Sequence, residues 1–184
     1  MGDLQILKEL FKRDALQELE KNYHKFQTTL SEPSCPDSSV IIADIPEDSL
    51  VVKIDKFPDP SAVFNGGKGE CRRADFLIIA EYSGKKRVLF IELKRTKDEK
   101  VKIIQQLKGA VCALKYCQEA GKQFWNKSSF LDEFEFRFIS FGHTAIRKRR
   151  TRIRREVAAL HNTPEKMMKI DWPANIRFNH LAGA

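Results

Sequence analysis

Apolar residues near the start of the chain, Leu4, Leu7, Phe11 and Ala15, recur at three- or four-residue intervals, a helical period that predicts one amphipathic helix over residues 3–29. The string SEPSCPDSS at 31–39 is rich in turn formers and ends it. The period then shortens. Two β-branched runs, Val40 to Ala43 and Leu50 to Ile54, flank the turn-like IPED and read as strands, and residues 57–69, with three glycines and two prolines, read as a loop.

Arg72 to Tyr82 and Lys86 to Lys94 are strand-like apolar runs on either side of Ser83-Gly84-Lys85, which predicts a hairpin. Asp98 to Glu119 reads as a helix, with Asp98 as N-cap, Val101, Ile104, Leu107, Val111 and Leu114 along one face, and Gly121 as its stop. Phe134 to Phe141 is a further strand and Ile176 to Leu181 a short last one. No internal repeat is visible. The order of helix, strands, helix and strand predicts the α/β (α+β) class, with helices flanking a central mixed sheet. Its segment from Leu89 to Phe141 reads as a right-handed crossover between parallel strands.

At 184 residues the chain has the length of one domain, expected over 1–184 with a basic C-terminal extension at 145–184. A composition of 42% hydrophobic and 32% charged residues fits a soluble globular protein, and no apolar run approaches the roughly 20 residues that span a bilayer, so no membrane partner is expected. The opening MGDLQILKELFKRD lacks the apolar core of a secretory signal, which points to the cytoplasm. Cys35, Cys71, Cys112 and Cys117 form no CxxC or Cys/His pattern and read as free thiols. The net charge of +8 favours a polyanionic partner.

Three residues in the central hairpin carry candidate chemistry. Alternation along a strand puts Glu92 and Lys94 on one face and Ile91 and Leu93 on the other. With Asp75 on the neighbouring strand, two carboxylates and an amine converge. Magnesium takes oxygen ligands and commonly one or two carboxylates, leaving its other positions to water and phosphate, so Asp75 and Glu92 suit Mg2+ or Mn2+. A lysine beside such a cation can orient or deprotonate an attacking water. A second acid-x-Lys triplet, Asp98-Glu99-Lys100, reads as a helix start instead.

The segment CRRADFLIIAEYSGKKRVLFIELKRTK resembles the core of the PD-(D/E)xK nucleases, a family that includes restriction endonucleases and Holliday-junction resolvases. Asp75 matches the family's first acid, and Glu92, Leu93 and Lys94 match its (D/E)xK triplet; Ala74 stands where the signature has proline. The resemblance implies a restriction-endonuclease-like αβββαβ core, catalysis by Asp75, Glu92 and Lys94, and a metal held by Asp75, Glu92 and Leu93. It also implies a further acid from the first helix, for which Glu18 falls on the expected arc, with loop Glu70 as the other candidate. A polar residue one or two turns into the second helix, Gln105, Gln106 or Lys108, would approach the phosphate. The Gln-x-x-x-Tyr pattern of one subgroup is absent, because Gly109 and Ala110 stand where its tyrosine would.

Arg147, Lys148, Arg149, Arg150, Arg152, Arg154 and Arg155 form a dense basic run expected to dock nucleic acid through its phosphates without reading bases. His143, just before it, is a minor candidate for a phosphate contact. The expected activity is a metal-dependent endonuclease, with DNA ahead of RNA as substrate, serving restriction, repair or phage defence. A catalytically silent nucleic-acid-binding module of the same fold is the alternative. Cutting both strands needs two sites, which a homodimer would supply by symmetry.

Overall fold

The computed structural model describes residues 1–32, 35–94, 99–142 and 160–183. Along the chain run α1 (Asp3–Leu10), β1 (Leu16–Gln17), β2 (Glu20–Asn22), β3 (Lys25–Glu32), β4 (Cys35–Ile45) and β5 (Ser49–Lys53). They are followed by β6 (Phe76–Tyr82), β7 (Lys85–Lys94), α2 (Lys100–Phe124), β8 (Glu135–Gly142), β9 (Met168–Ile170), β10 (Asn175–Arg177) and α3 (Phe178–Ala182). The architecture is mixed α/β with two mixed sheets. One has the order β1-β5-β6-β7-β8-β9, the other β10-β4-β3-β2.

The predicted hairpin is the centre of the larger sheet. Ser83 and Gly84 have φ of 46° and 72° and sit between the paired residues Tyr82 and Lys85, the left-handed turn that matches strand twist. β5, β6 and β7 form an antiparallel meander, and β8 joins β7 in parallel after α2, as the strand-helix-strand reading requires. Both faces of this sheet are buried. Leu77, Ile79, Val88, Phe90 and Phe138 pack against α1 and α2, whereas Ile78, Leu89, Ile91, Leu93, Ile139 and Phe141 pack against Leu30, Val40 and Ile42 of the second sheet and Phe178 and Leu181 of α3. Burial on two faces explains why the strand sequences read as near-continuous apolar runs.

Several sequence expectations are corrected. The helix predicted over 3–29 ends at Leu10, and the rest of that segment is mainly strand. Leu16 and Gln17 pair with Val52 and Val51, and Phe26 to Leu30 pair with β4, so ladder hydrogen bonds and sheet burial override the helical spacing. The buried stripe of α2 is Ile103, Leu107, Ala110, Leu114 and Cys117; of the predicted face, Leu107 and Leu114 are buried, Ile104 and Val111 pack against the core, and Val101 is exposed. Gly121 lies inside α2, where the Phe130 ring occupies the space a Cβ would need. Ile176 to Leu181 divides between β10 and α3. Asp98 lies outside the described residues, and Glu99 takes the N-cap position. Cys71, Cys112 and Cys117 are free thiols. Among the described residues no helix is long and apolar enough to cross a membrane.

Candidate active site

The candidate residues meet where β6 begins and β7 ends. Asp75 lies one residue before β6; its N–H donates to the Ile91 carbonyl at 3.2 Å, and its Oδ2 accepts the Leu93 N–H at 2.7 Å. The first acid is thereby held against the main chain of the Glu92-Leu93-Lys94 triplet. Ile91 and Leu93 enter the core between the sheets, so Glu92 faces the α2 side, fully buried, and Lys94 shares that side. Lys94 Nζ lies 2.7 Å from Glu92 Oε1, with 21% of the lysine side chain exposed.

Neighbouring strands complete the setting. The parallel register places Ser140 beside Glu92 and Gly142 beside Lys94. A Cβ on Gly142 would lie 3.3 Å from Lys94 Cβ, so the glycine leaves the lysine its room. Trp172 Nε1 donates to the Lys94 carbonyl at 3.0 Å and pins the end of β7. Sequence reading missed Ser140, Gly142 and Trp172. Only register could have exposed them, apart from the polar Ser140 interrupting the apolar FRFISF.

The loop leading into Asp75 is tied to α2. The Glu70 carboxylate accepts the N–H groups of Gly66 at 3.0 Å and Lys68 at 2.8 Å, and Gln105 Nε2 donates to the Lys68 carbonyl at 2.9 Å. Main-chain hydrogen bonds, from its own N–H and then from that of Lys68, hold the Glu70 pKa below the ordinary carboxylate value. Glu70 and Gln105 therefore act on the loop's shape. Lys108 pairs with Glu165 at 2.7 Å. Gly109 lies directly under the Arg72 carbonyl, and a Cβ there would overlap that oxygen. The tyrosine expected by one nuclease subgroup has no space at this point.

Glu18 is placed elsewhere. It follows β1 and is not helical, its side chain is 87% exposed, and its Oε1 lies 3.6 Å from Arg13 Nη2. Gln17 is opposite Val51, which is opposite Ile78. Glu18 continues away from Asp75, putting it roughly 13 Å along the strand direction from that level, with β5 intervening. The geometric basis for Glu18 as a third acid, its arc on a long first helix, is thus lost. His143 and the basic run from Arg147 to Arg155 lie outside the described residues.

Among the described residues no group of three or more His, Cys, Asp and Glu side chains converges. The donors at hand are two carboxylates and, since the Leu93 side chain has none, the main chain of Leu93. This all-oxygen set suits magnesium or manganese and not zinc. The Lys94 ammonium stands against Glu92 as a monovalent counter-charge would. Comparison with protein-family models, with characterised proteins and with solved structures gives no match.

Proposed function

We propose that the chain is a metal-dependent nuclease of the PD-(D/E)xK kind, hydrolysing phosphodiester bonds in nucleic acid, with DNA ahead of RNA. The observation that carries this reading is the Glu92–Lys94 pair, fully buried on its carboxylate side, with the Asp75 carboxylate bonded to the residue between them. A buried ion pair is a poor device for stability, because desolvating both charges offsets most of their attraction; hydrophobic residues of the same volume would serve at least as well. Chemistry is the better reason to keep it. The succession α1, β5, β6, β7, α2, β8 also has the αβββαβ order of a restriction-endonuclease-like core, with β1 to β4 inserted after its first helix.

In this reading Asp75, Glu92 and the Leu93 main chain would hold Mg2+ or Mn2+, which would supply Lewis-acid stabilisation of charge on the phosphate. Hydrolysis adds a water oxygen to phosphorus and breaks the opposite P–O bond, leaving a phosphomonoester and a hydroxyl. Lys94, which shares the α2 side of β7 with Glu92, would orient the attacking water and accept its proton. The run from Arg147 to Arg155 supplies phosphate docking. A homodimer would place two such sites on a duplex.

One observation favours the silent-module alternative: Asp75 does what a structural ladder cap does, and Glu92 already has a counter-ion. Nicking of supercoiled plasmid, with a single-stranded RNA run in parallel, separates the two readings. Cleavage with magnesium or manganese that EDTA and Lys94→Ala both abolish is the expected result. Binding without cleavage in either metal would leave the silent module.

A further inference from the structure

The ladder that sets Ser140 beside Glu92 continues one strand further, where Ser140 is opposite Lys169 of β9. Glu92, Ser140 and Lys169 therefore form one row across three parallel strands. Met168 and Ile170 pack into the core between the sheets, so Lys169 projects from the opposite face, which carries Glu92 and Lys94. The row spans about 10 Å from Glu92 to Lys169, two strand spacings. Lys169 is exposed on β9, the edge strand of the sheet. The approach to it is anchored. Met167 is buried against α2, the Lys108–Glu165 pair ties the preceding turn to the same helix, and Trp172 bonds the end of β7.

We infer that Lys169 is a phosphate-binding residue of the same site, holding a backbone phosphate next to the scissile one from the outer end of the row that begins at Glu92. This rests on the nuclease reading above. Successive phosphates of a single strand are spaced by several ångströms, and a flexible four-carbon stem on a fixed strand lets the ammonium meet the neighbour of a phosphate seated at Glu92. Lysine on an edge strand can instead serve only to block pairing with another chain's strand, and the two roles respond differently to substitution. Edge protection needs charge of either sign, whereas phosphate binding needs a cation.

The test compares wild type with Lys169→Arg, Lys169→Ala and Lys169→Glu on one DNA duplex, reading KM and kcat with magnesium and duplex affinity over a salt series. Expected are near-wild-type values for Lys169→Arg, a KM raised about tenfold in Lys169→Ala with a smaller change in kcat, and a larger loss in Lys169→Glu. The slope of log affinity against log salt should become shallower by about 0.9 in the alanine variant. A wild type that cleaves while Lys169→Glu matches Lys169→Arg in KM and slope overturns this inference alone. A wild type that neither binds nor cleaves removes the nuclease reading together with it.

Discussion

Oδ2 of Asp75 and the main-chain N–H of Leu93 are joined by a 2.7 Å hydrogen bond across the end of the β6–β7 ladder. One carboxylate thus has both a structural task and a proposed ligand task, and Asp75→Asn separates them, because the amide oxygen can still accept from Leu93 while the charge is gone. The asparagine variant should melt near wild type and lose cleavage. Asp75→Ala should lose cleavage and also about 1–2 kcal/mol of stability. Full activity in Asp75→Asn would reduce Asp75 to a ladder cap.

Glu92 and Lys94 should be strongly coupled in stability. Lys94→Ala leaves a fully buried carboxylate without its ammonium and should cost about 3 kcal/mol, read by denaturant unfolding. Glu92→Gln combined with Lys94→Met should recover most of that loss, since a buried pair is replaceable by neutral groups of similar size. Cleavage should stay absent in all of these variants. A fully active double variant would sink the catalytic role of the pair.

Two glycines of similar appearance in sequence should behave oppositely. Gly109→Ala drives a methyl into the Arg72 carbonyl, so the segment entering Asp75 must shift; a loss of about 1–3 kcal/mol and a drop in cleavage are expected. Gly67→Ala meets nothing within 4 Å and should match wild type in both. Equal melting temperatures for the two variants would show that the Arg72–Gly109 approach does not hold the loop.

His161 makes stability depend on pH. Its Nε2 donates to the Leu181 carbonyl at 2.7 Å in a buried setting, and burial, aided by the nearby Arg137 and His180 charges, holds its pKa below the ordinary 6.5 despite the opposing pull of that carbonyl. A depressed histidine pKa means the unfolded chain takes up the proton first. The contribution of His161 is complete above about 6.5, falls as pH drops towards the folded pKa, and then levels off. Melting curves between pH 7.5 and 5 should show this decline, and His161→Gln, which can still donate to Leu181, should lack this component. An unchanged decline in the variant would assign it to other groups.

How much of this was legible in the sequence follows the range of the forces involved. The central hairpin, the strand before it, the crossover helix and the strand after it were all readable, because apolar runs, a Ser-Gly turn and a helical period are local signals. So was the convergence of Glu92 and Lys94 on one face, which strand alternation dictates. The segment 3–29 was misread, since its helical spacing is equally compatible with strands once β4 and β5 offer pairing partners, and Glu18 lost its place with it. Register, and with it the Asp75–Leu93 bond, the Ser140–Lys169 row, Gly142 beside Lys94 and Trp172 at the end of β7, was decided only by the tertiary structure. Ladder hydrogen bonds join residues far apart in sequence and depend on which faces are buried together, and no local pattern encodes that choice.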